Sequence, residues 1–261
     1  MNKVITAFRT AREEGRTALM PYVTAGDPPA PGLERLLVSL DQAGADIIEI
    51  GIPFSDPIAD GPVIASAMYR ALERGVTPQE VFEQVRSART EVEAGLVAMV
   101  SISIVVHLGV ADFINQAAAA GFDGVIVPDA DLDDLGVLAE ACSAVNLALI
   151  PLIAPTTSLA RQEALARNAS GFVYMLARAG VTGERAAAPE IGDRIEALRS
   201  VTDLPIGVGF GISSSEHVRS VGVHADGAIV GSALVRVLDD AHRSGNDVAA
   251  AAVDFVEGLK G

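Results

Sequence analysis

The chain has 261 residues and a mass of 26.9 kDa, and 50% of its residues are apolar, so it can bury a sizeable core. This composition excludes a disordered or fibrous protein. The formal net charge of −15 would repel nucleic acids and anionic membrane surfaces. The one cysteine, Cys142, cannot form an internal disulfide, which is typical of a reducing cytoplasm. No apolar run is long enough to span a bilayer.

The predicted elements alternate regularly along the chain. The first segment, MNKVITAFRTAREEG, is amphipathic and predicts a capping helix rather than a targeting peptide. Apolar runs rich in Val, Ile and Leu then alternate with segments of helical spacing, and no linker divides them. The predicted strands are Ala18–Thr24, Ile47–Gly51, Leu96–Ser101, Gly124–Pro128, Leu147–Ala154, Phe172–Leu176, Ile206–Gly209 and Gly227–Val230. The predicted helices include Leu33–Gln42, Val110–Ala120, Leu132–Ala144, Leu159–Ala169 and Ile191–Ser200.

This alternation predicts an α/β fold in which one domain spans residues 1–261. Strands that are apolar throughout indicate burial on both faces, which is typical of parallel sheets. Eight units of roughly 30 residues each favour a (β/α)₈ TIM barrel with the N-terminal helix as a cap. A doubly wound open sheet is the alternative. The count of eight favours the barrel, and so do the Gly, Pro, Asp and Ser residues that cluster after the strands.

The inventory of reactive side chains excludes several mechanisms. Lysine occurs only at Lys3 and Lys260, outside the strands, so Schiff-base chemistry on a barrel lysine is excluded. The histidines are scattered and have no metal-ligand spacing; they are His107, His217, His224 and His242. We therefore expect neither a cofactor nor a metal.

Two carboxylates near the second strand are the candidate catalytic groups. Glu49 lies in an apolar strand, where a charge is costly unless it faces the barrel mouth or a partner. Asp60 ends a loop, PFSDPIADGP, that three prolines stiffen. Two carboxylates in different environments can have different catalytic roles: one transfers protons, while the other stays ionised and stabilises positive charge. A buried ion pair at Glu49 and simple loop capping by Asp60 are the alternatives.

Three glycine-rich loops follow the last three predicted strands. They are GVTG at Gly180–Gly183, GFGISS at Gly209–Ser214, and Gly231 with Ser232. In a barrel these loops converge, and glycine lets backbone N–H groups at helix N-termini approach a phosphate closely. The sequence therefore predicts a phosphate site that needs no lysine, although glycines also form ordinary turns.

The motifs together resemble the tryptophan synthase alpha subunit family along nearly the whole chain. The matching segments are PYVTAGDP at Pro21–Pro28, EIGIPFSDPIADGP at Glu49–Pro62, GVTG, GFGISS and VGSALV at Val230–Val235. The resemblance implies retro-aldol cleavage of indole-3-glycerol phosphate to indole and glyceraldehyde 3-phosphate. By the same resemblance, Glu49 is the general acid/base, and Asp60 binds the indole N–H and stabilises the indolenine-like intermediate.

The resemblance also implies binding residues. The phosphate would lie at Gly183, Gly211, Gly231 and Ser232. The indole pocket would be lined by Tyr22, Ile64, Met99 and Tyr174, and Thr182 would lie on a loop that closes toward Asp60. A beta subunit that carries pyridoxal phosphate would receive the indole and face the loop bearing Pro53 and Asp56.

The chain departs from the family pattern at the loops after the third and fourth strands. Ser101, Ser103 and Ile104 replace a Tyr and an Asn followed by Pro, and PDADLDD at Pro128–Asp134 replaces PDLPxEE. Ala65 replaces a Gln. Two alternatives therefore stay open: a stand-alone lyase of a specialised pathway, and a non-catalytic regulatory subunit that binds a phosphorylated ligand.

Overall fold

The computed structural model describes residues 2–57, 61–177, 189–209 and 211–260, with only the backbone of residues 189 and 190. Three predicted site residues, Asp60, Thr182 and Gly183, lie outside this range. All nine strands of the described part are parallel members of one sheet. They are β1 Ala18–Thr24, β2 Ile47–Gly51, β3 Gly95–Met99, β4 Gly124–Ile126, β5 Ala148–Ile150, β6 Leu152–Ile153, β7 Val173–Leu176, β8 Ile206–Gly209 and β9 Gly227–Val230.

The strand order confirms the barrel and excludes the open sheet. It runs β5-β4-β3-β2-β1-β9-β8-β7-β6, so β5 and β6 stand at its two ends. Only Pro151 separates β5 from β6 in the chain, and the two segments therefore close the sheet on itself as halves of one strand. The single strand predicted over 147–154 is divided because Pro151 has no N–H for the ladder. Eight strand positions result, as predicted.

Twelve helices surround the strands in the described residues. They are α1 Lys3–Glu13, α2 Leu33–Gln42, α3 Pro62–Glu73, α4 Pro78–Ala88, α5 Ile102–Leu108, α6 Val110–Ala120, α7 Leu132–Ala144, α8 Leu159–Arg167, α9 Pro189–Arg199, α10 Ser215–Gly222, α11 Ser232–Arg243 and α12 Val248–Gly258. Three predicted helices match to the residue, and two differ by one or two residues at their ends. The predicted helices named above do not include α3, of 12 residues, or α5, of 7 residues.

The core consists of two clusters of buried side chains: an interior cluster inside the barrel, and an outer cluster between the strands and the helices. Side chains on alternate strand residues, such as Met20, Tyr22 and Val97, fill the interior. At its N-terminal end α1 adds Val4 and Phe8, and the Phe8 ring lies 5.3 Å from that of Phe172. The first helix therefore caps the barrel, as predicted.

Aspartates at the N-terminal end of the barrel tie neighbouring strands together. Each directly precedes a strand and accepts a hydrogen bond, 2.8 to 3.0 Å long, from a backbone N–H of the adjacent strand. Each also contacts an arginine. The carboxylate, N–H and arginine sets are Asp46 with Leu19 and Arg16, Asp123 with Leu96 and Arg89, and Asp226 with Ile206 and Arg199. These clamps stabilise strand pairs by charge-assisted hydrogen bonds.

No single helix of the described chain is long and apolar enough to cross a membrane. The helices α5 and α6 are long and apolar enough only when they are counted together, and the chain bends by 101° between them.

Candidate active site

Glu49 faces the barrel interior from the middle of β2. The strand register places it between Tyr22 of β1 and Val97 of β3, and both of these side chains belong to the interior cluster. Its chain neighbours Ile48 and Ile50 belong to the outer cluster, as the alternation of a strand requires. The fold therefore turns the one charged residue of this strand inward.

Glu49 is fully buried and has no partner among the described residues. Its exposed fraction is 0%, and neither carboxylate oxygen has a hydrogen-bond partner there. Burial raises the pKa of the Glu49 carboxyl from 4.5 to about 8, because desolvation disfavours the charged form. No cation of the described chain pairs with it, so the alternative of a buried ion pair finds no support. At neutral pH Glu49 is mainly a neutral acid.

Tyr22 packs against the strand that carries Glu49. Its hydroxyl lies 3.3 Å from Thr24 Oγ1, and a Cβ atom added at Gly51 would lie 2.0 Å from the Tyr22 Oη atom. Only glycine leaves room for this close approach. The Tyr22 ring is therefore held across the carboxyl end of β2.

Ile64 and Gly231 lie beside Tyr22. A Cβ atom added at Gly231 would be 3.5 Å from Ile64 Cδ1 and 3.9 Å from Tyr22 Cβ. Ile64 is in the first turn of α3, Gly231 is the N-cap of α11, and Ser232 begins that helix. The structure thus brings these predicted residues together, and a helix N-terminus of this kind suits an anion.

Met99 is the last residue of β3, and Tyr174 is the second residue of β7. A Cβ atom added at Gly209 would lie 2.5 Å from Tyr174 Oη, so Gly209 allows the tyrosine to cross β8. Gly211 has a φ of +55°, in the left-handed region that favours glycine. Met99 pairs with Gly51 in the register and belongs to the interior cluster with both tyrosines. These residues share the barrel interior and its carboxyl-terminal rim.

Pro53 and Asp56 lie in the loop after β2. Pro53 is buried, whereas Asp56 is exposed and accepts a hydrogen bond of 2.6 Å from Ser55 Oγ. In the described residues, no group of three or more His, Cys, Asp or Glu side chains could hold a metal ion.

Two of the residues that depart from the family pattern, Ser101 and Ser103, form a hydrogen-bonded cluster with Asp129. Ser101 Oγ lies 2.7 Å from Asp129 Oδ2 and 2.8 Å from Ser103 Oγ, and Ile102 N donates to Asp129 Oδ1 at 2.9 Å. Sequence reasoning missed Asp129 as the group that joins the loops after β3 and β4. Its signal was the placement of a short polar residue just after each of two neighbouring strands.

The family is established by comparison with known proteins. The sequence model of the family "Tryptophan synthase alpha chain" matches residues 8–260. The chain belongs to the tryptophan synthase alpha chain family. The tryptophan synthase alpha chain of Microcystis aeruginosa is 42% identical over 262 residues, covering 100% of this chain and 98% of that relative. The one from Synechocystis is 45% identical over 243 residues, covering 91% of each chain.

Solved structures of this family have the same fold. Tryptophan synthase subunit alpha from Legionella pneumophila superimposes with a TM-score of 0.91 at 31% identity, covering 100% of this chain and 97% of that one. A chain of tryptophan synthase from M. tuberculosis, in its aminoacrylate-bound form, gives a TM-score of 0.88 at 30% identity, covering 100% and 98%. The barrel is therefore the family fold over the whole chain.

Proposed function

We propose that this member of the tryptophan synthase alpha chain family is a lyase that cleaves indole-3-glycerol phosphate to indole and glyceraldehyde 3-phosphate. The reaction needs acid/base groups only, and it serves L-tryptophan biosynthesis in the cytoplasm. The observation that carries the proposal is Glu49, a buried carboxyl without a partner among the described residues, facing the interior of a family barrel. We also propose that residues 1–261 act as a single domain.

Glu49 begins the reaction as an acid. Its protonated carboxyl transfers the proton to the indole carbon that carries the glyceryl chain, which makes the ring an indolenine cation. The resulting carboxylate then takes the proton of the adjacent glyceryl hydroxyl. The carbon–carbon bond breaks, its electron pair returns to the ring, and an aldehyde forms on the glyceryl side. Glu49 is protonated again at the end, so the raised pKa of about 8 suits the state in which the cycle starts.

The indole ring is held by carboxylate and apolar groups. Asp60 accepts the indole N–H and stays ionised, which stabilises the indolenine cation. The pocket is formed by Tyr22, Ile64, Met99 and Tyr174, which belong to the interior cluster near Glu49. The mainly apolar surroundings explain why the acid is protonated before the ring is bound.

The phosphate is bound by backbone amides of the late loops. We place it at Gly183, Gly211, Gly231 and Ser232, with Thr182 on a loop that closes toward Asp60. The left-handed Gly211 and the start of α11 at Ser232 support this position. Amides at such turns bind a phosphate without lysine.

The partner is a tryptophan synthase beta subunit. The loop bearing Pro53 and Asp56 leaves β2 next to Glu49, at the end of the barrel where indole would be released. The helix α5 adds exposed apolar side chains after β3, since Val106 is 59% and Leu108 is 38% exposed. Exposed apolar groups of this kind are typical of protein interfaces.

The experiment is indole release from indole-3-glycerol phosphate by the purified chain, with and without an added beta subunit. We expect release in both cases and faster release with the beta subunit. Release that the beta subunit leaves unchanged would favour the stand-alone lyase. Binding of a phosphorylated ligand without release of indole would favour the regulatory subunit and contradict the proposal.

A further inference from the structure

The helix α3 is an insertion over the barrel mouth. Two helices follow β2: α4 packs with α2 and α6 in the outer ring, whereas α3 packs against β1 and α11. The buried face of α3, formed by Ile64, Ala67 and Met68, belongs to the interior cluster. α3 begins at Pro62, two residues after Asp60 in the sequence.

A nearly buried aspartate anchors this helix from the loop after β1. Asp27 is 4% exposed and receives both arms of one guanidinium, with Arg70 Nε 3.0 Å from Oδ1 and Arg70 Nη2 2.6 Å from Oδ2. Arg74 Nη2 donates to Asp27 Oδ1 at 2.7 Å and also to the carbonyl oxygen of Gly26. Bidentate contacts of this kind fix orientation as well as distance.

The same arginine also connects α3 to α11. Arg70 Nη2 lies 3.6 Å from Asp239 Oδ1, and Arg243 holds Asp239 at 3.0 Å. The same helix α11 begins at Ser232, beside Ile64. The anchor therefore spans three elements that contribute to the proposed site: the end of β1, α3 and α11.

The loop that carries Asp27 is itself held in place. Asp27 N donates to Thr24 O at 3.1 Å, and Gly26 has a φ of +79° with Val76 Cγ2 only 2.5 Å from where a Cβ atom would lie. The carboxylate is thus presented by a turn that has its own backbone hydrogen bond and lies close to Val76, just after α3.

We propose that Asp27 is a positioning residue for the cleavage reaction, which holds α3 so that Ile64 is aligned with the indole ring. This inference rests on the proposed function. Asp27 makes its described contacts with backbone groups and arginines, and it acts through α3. Misplacement of reacting groups by about 1 Å can cost about 10²-fold in rate, so a loosened anchor has a measurable kinetic effect.

The experiment compares Asp27→Asn with Asp46→Asn. Asp46 is the matched control, because it also accepts both arms of an arginine, at 2.7 and 2.8 Å, but at the N-terminal end of the barrel. We expect Asp27→Asn to lower kcat for indole-3-glycerol phosphate at least about tenfold in fully folded protein. We expect Asp46→Asn to leave kcat within about twofold, although both variants lose stability.

A second variant covers the case in which Asp27→Asn does not fold. Arg70→Lys keeps the positive charge but loses the bidentate hydrogen bonds to Asp27. We therefore expect this variant to lose at least about fivefold in kcat. The effects of Asp27→Asn and Ile64→Ala should also fail to add, because both act through α3. Binding of glyceraldehyde 3-phosphate should change by less than about twofold, since α11, which carries Gly231 and Ser232, also packs against β1 and α12.

Three results would overturn the inference. They are a kcat of Asp27→Asn within twofold of wild type, an equal loss in Asp46→Asn, or, if Asp27→Asn does not fold, an unchanged kcat of Arg70→Lys. A wild-type chain that releases no indole would instead contradict the proposed function, so the two failures are distinguishable.

Discussion

Asp46, which directly precedes β2, and Glu49, in the middle of β2, lie three residues apart, and their carboxylates have opposite environments. Asp46 accepts two hydrogen bonds from Arg16 and one from Leu19 N. Glu49 is more deeply buried and has no partner among the described residues. The N-terminal end of the barrel satisfies its charges and stabilises the fold, whereas the interior keeps one acid unsatisfied, as proton transfer requires.

The largest expected effect comes from removing the acid. Glu49→Gln keeps the shape of the side chain but cannot transfer a proton, so we expect turnover to fall at least about 10²-fold. Glu91→Gln is the matched control, because Glu91 is exposed and should give wild-type turnover. Indole release measures both variants. Near-full activity of Glu49→Gln would contradict the role of Glu49 in proton transfer.

The two carboxylates should also have opposite effects on stability. Between about pH 4.5 and 8 the folded chain keeps a proton on Glu49 that the unfolded chain has released, so this group lowers stability as pH rises through that window. Relative to wild type, Glu49→Gln should therefore gain stability from pH 5 to 8, by on the order of 3 to 4 kcal/mol.

Asp46→Asn should instead lose about 1 to 3 kcal/mol at neutral pH, since it breaks hydrogen bonds to a charged group. Urea unfolding at several pH values measures both free energies. A pH-independent difference between wild type and Glu49→Gln would mean that the acid is not perturbed in the folded chain.

Two glycines offer a smaller test of the same contrast. A methyl group at Gly51 would meet Tyr22 Oη at 2.0 Å, and one at Gly222 would meet Thr17 Oγ1 at 2.1 Å at the N-terminal end. Both alanine variants should lose about 1 to 3 kcal/mol of stability from overpacking. Only Gly51→Ala should also lose activity, by about tenfold in kcat/KM, because it displaces a pocket side chain. Equal losses of activity in Gly51→Ala and Gly222→Ala would contradict the conclusion that only the carboxyl-terminal end of the barrel serves the reaction.

The smallest effect is expected at the rim cluster. Ser101→Ala removes the hydroxyl between Asp129 and Ser103, and we expect a loss of about 1 kcal/mol in the free energy of unfolding. Turnover of the isolated chain should stay within about twofold, since this cluster joins two loops and does not touch Glu49. Thermal unfolding and the indole assay measure these effects, and a large loss of turnover would place the cluster in the site.

The predictions from sequence succeeded where a local pattern decides the outcome. The apolar runs placed β1 and β2 to the residue, and helical spacing placed α2 equally well, because burial of both strand faces or of one helix face leaves a periodic signal. A lone charge inside an apolar strand also singled out Glu49. The 12-residue helix α3 was missed because a proline-rich loop precedes it and its apolar face packs against the barrel interior rather than the outer layer.

Other features depend on residues that are distant in the chain. Asp27 meets Arg70 across 43 positions, and the register of β1 with β2 brings Tyr22 against Gly51. Whether a buried carboxyl is paired or alone depends on every element packed around it, so the raised pKa of Glu49 follows from the closed barrel and not from the residues beside it in the chain. The sequence alone determined the strands, the helices and the candidate acid. The tertiary structure decided which carboxylates have partners, because partners are chosen by proximity in space.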